Sequence, residues 1–142
     1  MPKPSEPPIG FLLNRVAKDA GRAFDDALAA SGGSAPTWQI LLSLKTRKVA
    51  NQRELAEAIG IQGATLTHHL NGMEDAGLLV RRRDPENRRV HLVELTEQGD
   101  ALFLRLAGAA QEFDRRLREG FSDQDLRMLR ELLSKLHENA RP

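Results

Sequence analysis

Apolar residues recur every three or four positions over residues 9 to 30, which is the spacing of one helical face. Gly32 and Gly33 interrupt the pattern, as glycines do at the C-terminal ends of helices. Pro36 stands where prolines open helices, and apolar residues continue from there to Leu44. The pattern therefore predicts two helices in the first third of the chain.

Two shorter helices are predicted between residues 51 and 76. Asn51, followed three residues later by Glu54, forms a capping-box arrangement at the start of the first. Gly60 closes that helix, and only Ile61 and Gln62 precede the second, which is predicted over residues 63 to 76. Two short helices joined by a tight turn with a glycine indicate a helix-turn-helix, although plain helical corners in unrelated proteins share this pattern.

The second of these helices has two contrasting faces. Leu66, Leu70 and Met73 fall within about 60° of one another and should face the preceding helix. The opposite face carries small or hydrogen-bonding residues, namely Ala64, Thr65, His68, Asn71, Gly72 and Asp75. Such a face fits a major groove about 12 Å wide. The alternative is a solvated face, which would usually hold more Lys and Glu.

A hairpin rich in arginine is predicted next. Apolar residues around Val80 and from Val90 to Leu95 mark two strands, with a turn at residues 84 to 87. Arginines lie on its flanks and at its tip: Arg81, Arg82, Arg83, Arg88 and Arg89. A ribbon with Arg88 at its end can place a guanidinium group in a minor groove. In the alternative interpretation these arginines only pair with Asp84, Glu86 and neighbouring acids.

The last third of the chain predicts two more helices with leucine-rich faces. Thr96 can cap a helix over residues 97 to 118, and Ser122 with Asp125 can cap a final one. A compact domain over residues 36 to 96 cannot cover these faces and that of the first helix, so we expect them to bury against a second copy. The expected fold is mainly α with a small β-hairpin wing (α+β): a winged helix-turn-helix (residues 36–96) flanked by a helical dimerisation region (9–35 and 97–142). Residues 1–8, rich in proline, are expected to form a disordered arm.

Composition narrows the possible functions. The formal net charge is only +1, but basic residues cluster on the hairpin and at Lys45, Arg47, Lys48 and Arg53. The chain has no cysteine, which excludes thiol catalysis and disulfide sensing. It also contains no G-x-S-x-G, phosphate-binding glycine loop or His-Glu-x-x-His motif, so we expect neither an enzyme nor a cofactor.

Metal binding and membrane insertion are also not expected. His68 and His69 point about 100° apart on a helix, which is poor spacing for chelation. No apolar run approaches the roughly 18 residues of a membrane span. The start of the chain does not resemble a secretory signal, so a cytoplasmic protein is expected.

Several motifs resemble those of the MarR family of transcriptional regulators. The most specific is DPENRR at residues 84–89 followed by VELTEQG at 93–99, which resembles the family's wing and the start of its fifth helix. QRELA at 52–56 and MEDAGLL at 73–79 are similar to its helix-turn-helix signatures, and PTWQ at 36–39 to the opening of its second helix.

The resemblance implies an obligate homodimer whose two lobes bind a palindromic operator in double-stranded DNA, as a repressor. It implies that Thr65, Thr67 and His68 contact bases and phosphates. Arg88 would enter the minor groove, and Arg89 would brace the wing or meet phosphate. The remaining expected DNA contacts are Arg53, Gln62, Gly63 and Ala64.

The chain departs from the family pattern at two positions. Asn87 stands where many members carry aspartate before the paired arginines, so an ionic brace of the wing becomes at best a neutral hydrogen bond. His68 stands where a recognition-helix arginine is frequent, and an imidazole reaches less far. Sequence preference therefore cannot be copied from relatives.

The resemblance also implies release by a small aromatic or hydrophobic effector. Arg15 is the candidate for its anionic group, with Phe11, Trp38 and His69 as possible walls. The alternatives are core packing for Phe11 and Trp38 and a structural role for His69. The competing function is a winged-helix architectural or protein-interaction module without specific operator binding.

Overall fold

The computed structural model describes residues 6–47 and 49–142, apart from the side chains of Val49 and Ala50. Lys48 of the predicted basic cluster and residues 1–5 of the predicted arm lie outside the described residues. The elements follow in this order: α1 Ile9–Ala30, α2 Ala35–Arg47, β1 Val49–Asn51, α3 Gln52–Ile59, α4 Gly63–Asp75, β2 Leu79–Arg83, β3 His91–Leu95, α5 Glu97–Leu117 and α6 Asp123–Ala140. The fold is mainly α with a small antiparallel sheet, as predicted.

The sheet has one strand more than the predicted hairpin. β2 and β3 form the hairpin, in which Arg81 pairs with Val93, and β1 joins the other side of β3 with Ala50 opposite Val93. A segment of three residues is too short to show an alternating side-chain pattern. Its strand conformation comes from backbone pairing with β3, about forty residues further along the chain.

The helices begin with the predicted caps, except that the capping box predicted for α3 is incomplete. Asn51 Oδ1 accepts the backbone N–H of Glu54 at 2.8 Å, which caps α3. Glu54 does not complete the capping box; its carboxylate instead lies 3.5 Å from the Arg47 guanidinium group at the end of α2. Ser122 and Asp125 form the full reciprocal box at the start of α6, with both bonds at 3.0 Å.

The chain divides into two compact units, Met1–Ala110 and Gln111–Pro142. The first has one core to which most of its elements contribute; its buried residues include Leu28, Ile40, Leu41, Leu44, Leu55, Leu66, Leu70, Met73, Leu79, Val93, Leu102 and Leu106. The second contains the end of α5 and all of α6, of which no residue is buried. Among the helices that the structure describes, none is long and apolar enough to cross a membrane.

Candidate nucleic-acid interface

One side of α4 packs into the core and therefore fixes which side faces out. Leu66 and Leu70 are fully buried and Met73 nearly so. Because these residues recur at helical spacing, the opposite side is exposed; it carries Ala64, Thr65, His68, Asn71, Gly72 and Asp75. The small, hydrogen-bonding face predicted from the sequence is thus a solvent-facing surface.

A tight turn presents the N-terminus of α4. Gly60 ends α3 with a φ of 80°, a left-handed conformation that glycine adopts without strain. Gln62 occupies the N-cap of α4, and its exposed side chain makes no capping hydrogen bond there. Backbone N–H groups at a helix N-terminus favour an anion such as a phosphate.

Thr67 faces differently from the other predicted contacts on α4. Its hydroxyl donates to the Gly63 carbonyl oxygen at 2.9 Å, and Gln52 Nε2 of α3 lies 3.5 Å from the same hydroxyl oxygen. The half-buried Thr67 therefore lies against α3 and not on the outward face. A threonine hydroxyl in a helix can bond to the carbonyl oxygen four residues earlier or remain free to bind a ligand. The pattern of apolar residues in the sequence does not show which of these Thr67 does.

Arg53 connects two shallow grooves on this side of the molecule. One, between α3 and α4, is lined by Arg53, Gln62, Gly63 and Thr67 among others. The second is lined by Arg53, Arg89 and His91, together with Glu54 and Glu57. The Arg53 side chain is 91% exposed and its contact with Glu57 at 3.6 Å is a weak surface pair, so it remains available to a ligand.

Backbone hydrogen bonds to side chains shape the tip of the wing. Asp84 Oδ1 accepts the N–H of Glu86 at 2.9 Å, and Asn87 Oδ1 accepts the N–H of Arg89 at 3.2 Å. Each is a local turn of the kind that Asp and Asn favour. The hydrogen bond of Asn87 is therefore neutral, as predicted, and it is made to the backbone. The neighbouring Arg88 is exposed.

The hairpin arginines divide into two groups. Arg81 pairs with Glu74 at 3.0 Å and Arg82 with Glu94 at 3.5 Å. Within the described chain, Arg83, Arg88 and Arg89 form no ion pair. The alternative in which these arginines only pair with acids is therefore wrong for three of the five, and the two that do pair contact acids of α4 and β3.

The predicted effector residues do not share one cleft in the first unit. Phe11 and Arg15 are exposed on α1, with Phe11 60% exposed. Trp38 packs against the core and stacks on Phe103, with ring centroids 5.6 Å apart. His69 is half-buried and lines a cleft along α4 with Thr37, Met73, Leu78 and Leu102. His68, Asn71, Gly72 and Asp75 of the exposed face line the same cleft, whereas Phe11, Arg15 and Trp38 do not. Sequence spacing could not reveal this separation, because it depends on how α2 packs against α5.

Metal binding finds no support in the described residues, where no three His, Asp or Glu side chains lie together as a possible ion site. The geometry instead defines a class. A helix-turn-helix with an exposed second helix, followed by an arginine-tipped β-hairpin, is a winged helix-turn-helix of the kind that binds DNA.

Comparison with known proteins narrows the class to a family. The MarR family model matches residues 34–91. Over 137 residues the chain is 31% identical to YdgJ of Bacillus subtilis (strain 168), an uncharacterized HTH-type transcriptional regulator, covering 94% of this chain and 80% of that one.

Solved structures of transcriptional regulators are also similar to this chain. The transcriptional repressor CouR, bound to a 23-mer DNA duplex, matches with a TM-score of 0.80 and 31% identity, over 94% of this chain and 93% of that one. A MarR-family transcriptional regulator from Rhodococcus sp. RHA1 matches with a TM-score of 0.75 and 29% identity, over 90% and 91% of the two chains. The chain belongs to the MarR family; it is a DNA-binding transcriptional regulator and not an enzyme.

Proposed function

We propose that the protein is a homodimeric repressor that binds a palindromic operator and is released by a small-molecule effector. The observation that carries this proposal is the exposed, hydrogen-bonding face of α4 in the same unit as wing arginines that no described acid neutralises. The similarity to CouR, a repressor bound to a DNA duplex, supports the repressor role.

Each predicted contact has a place in this proposal. Ala64, Thr65 and His68 face the base edges of a major groove, where small side chains permit close approach. Gln62 and Gly63 hold a phosphate at the helix N-terminus, where Thr67 orders the first turn through its bond to Gly63. Arg53 and Arg89 contact phosphates from the shared groove, and Arg88 enters the minor groove.

Exposed apolar residues support dimerisation through the helical region proposed for residues 9–35 and 97–142. On α1, Ile9, Phe11 and Val16 are each more than half exposed. On α6, the exposed apolar residues are Met128, Leu129, Leu132 and Leu133. Large exposed apolar patches mark interaction surfaces, and a two-fold pair is the commonest closed assembly. The winged residues 36–96 of each copy would then bind one half of a palindrome.

The cleft along α4 that His69 lines is the site we propose for the effector, a small aromatic or hydrophobic molecule. His69 and Thr37 supply hydrogen-bonding groups beside the apolar Met73, Leu78 and Leu102. This mixture suits a small molecule with an apolar body and one polar group. A ligand there would touch His68 and its neighbours on the α4 face that is proposed to contact DNA. Phe11 is instead assigned to the dimer face.

Selection of bound duplexes from a random pool by the purified protein tests this function. We expect a palindromic consensus, and footprinting of the recovered duplex should protect two half-sites about one helical turn apart. The logarithm of affinity should fall with the logarithm of salt concentration, with a slope near −0.9 for each phosphate contacted. Uniform weak binding without a footprint would instead indicate an architectural module.

Repeating the selection with a panel of aromatic acids tests the effector. We expect at least one of them to release the recovered duplex from the wild-type protein, and His69→Ala to weaken that release. Release that His69→Ala leaves unchanged would place the effector elsewhere.

A further inference from the structure

Arg81 is the wing arginine that points back into the molecule. Its side chain is 19% exposed, whereas that of its neighbour Arg82 is 50% exposed. Arg81 Nη2 donates to Glu74 Oε1 at 3.0 Å and to Asn71 Oδ1 at 2.6 Å. Both acceptors belong to α4, so one guanidinium group of β2 holds two side chains of the helix.

The backbone takes part in the same contact. The Arg81 N–H donates to Glu74 Oε2 at 2.9 Å, so the Glu74 carboxylate binds the strand through both oxygens. The Arg81 hydrogen bond lowers the pKa of Glu74 below its usual value of 4.5, and the carboxylate is therefore ionised at neutral pH. Charge-assisted bonds of this kind are the stronger and more directional ones.

These contacts join the two elements that the proposed function assigns to different grooves. Residues 71 and 74 lie on α4, the proposed major-groove helix, and residue 81 lies in β2, the first strand of the ribbon that carries Arg88. Ala76, Gly77 and Leu78 connect α4 to β2, and backbone hydrogen bonds from Gly77 N–H to the Glu74 carbonyl oxygen and from Leu78 N–H to the Met73 carbonyl oxygen, both 2.9 Å, order this turn. The side-chain contacts of Arg81 hold the ribbon to α4 at a second point, beyond the turn.

We propose that Arg81, Glu74 and Asn71 form a brace that sets the angle between the recognition helix and the wing, and so act as positioning residues for operator specificity. The inference rests on the proposed DNA-binding function. The angle between α4 and the wing matters only when α4 lies in a major groove and the wing lies in a minor groove of the same duplex. Loss of the brace should therefore weaken binding to the selected duplex more than binding to an unrelated one.

Glu74→Gln is the sharpest test, because the brace and simple electrostatics predict opposite effects. Removing a negative charge near DNA should by itself tighten binding to any duplex. If Glu74 positions the wing, the variant should instead bind the selected duplex about tenfold more weakly than wild type, with unrelated DNA of equal length bound as well or better. The ratio of the two dissociation constants is the readout, at one fixed salt concentration.

Asp75→Asn is the matched control. Asp75 is the last residue of α4, at the opposite end of the helix from the proposed base and phosphate contacts, which lie between residues 62 and 68. It is exposed and has no ion pair within the described chain. Its removal should tighten binding to both duplexes equally. On β2, Arg81→Ala and Arg82→Ala form a second matched pair, because Arg82 pairs with Glu94 inside the sheet and does not reach α4. Arg81→Ala should reduce the specificity ratio, and Arg82→Ala should leave it unchanged.

If Glu74→Gln tightens binding to both duplexes as Asp75→Asn does, the brace inference is overturned while the proposed function stands. Equal ratios for Arg81→Ala and Arg82→Ala would overturn it too. If wild type itself binds both duplexes equally, the proposed function fails and the brace inference fails with it. Should Arg81→Ala not fold, Asn71→Ala removes one bond of the brace and is expected to lower the same ratio by a smaller factor.

Discussion

Thr96 and Gly77 are joined by a hydrogen bond of 2.6 Å, in which the threonine hydroxyl donates to the glycine carbonyl oxygen. The same hydroxyl accepts the N–H of Gly99 at 3.1 Å, which caps α5. One side chain therefore connects the turn after α4 to the start of α5. The C-terminal end of α4 and the start of α5 are held together at this point.

Gly99→Ala should destabilise the protein, because Gly99 is buried at this junction. A Cβ atom there would lie 2.1 Å from the Leu78 carbonyl oxygen, so the backbone would have to shift. We expect a loss of about 1–3 kcal/mol in the free energy of unfolding, measured by denaturant titration without DNA.

Gly72→Ala provides the control for that substitution. Gly72 is also within a helix, but no atom lies within 4 Å of the position that an alanine Cβ would take there. Alanine should raise the free energy of unfolding by about 0.5–1 kcal/mol at this site, since glycine is the poorer helix former. Equal destabilisation by both substitutions would contradict the role assigned to the Gly99–Leu78 approach.

Arg88→Ala should weaken binding to the selected duplex strongly and leave the melting temperature nearly unchanged. Arg88 is exposed and has no ion pair in the described chain, so its removal costs the fold little. Fluorescence anisotropy of a labelled duplex measures the first effect and thermal unfolding the second. Loss of folded dimer would show that Arg88 is structural.

Thr65→Ala and His68→Ala should change which base pairs are preferred. Both side chains are exposed on the outward face of α4, and a true base contact contributes about 1–3 kcal/mol of discrimination. Repeating the selection with each variant measures the preference at every position of the recovered duplex. An equal loss for all duplexes would assign these residues to phosphate contacts.

Leu132→Asp should separate the dimer and abolish tight operator binding. Leu132 is 51% exposed in the single chain, and a carboxylate in an apolar interface would be buried without a partner. Sedimentation gives the assembly state, and Ser134→Asp is the control, because it adds the same single negative charge at an exposed polar position on α6. A Leu132→Asp monomer that still binds a half-site tightly would contradict the coupling.

The contribution of Glu74 to stability should disappear in acid. Its pKa is lowered in the folded state by the bond from Arg81, so the stabilisation is complete at a pH well above 4.5 and is lost as the pH falls below 4.5. Wild type should therefore be more stable than Glu74→Gln at pH 7, and the difference should shrink towards pH 3. A difference that does not vary with pH would show that the Glu74 charge contributes nothing.

Much of the fold and part of the site follow from local sequence. The burial of Leu66, Leu70 and Met73 determines which face of α4 is exposed, because a helix turns by a fixed angle at each residue. The helix caps at Asn51, Thr96 and Ser122 can also be predicted from local sequence, because a capping side chain and the backbone N–H that it accepts lie three residues apart. The sequence alone therefore predicted the outward face of α4 and the arginine-tipped hairpin.

Tertiary structure decided what depends on residues far apart in the chain. β1 exists because it pairs with β3, Thr67 lies against α3, and Trp38 stacks on Phe103. The five hairpin arginines look alike in the sequence, yet only packing of β2 against α4 gives Arg81 its partners. Local periodicity shows which way a side chain points from its own element; it carries no information about which distant element will meet it there.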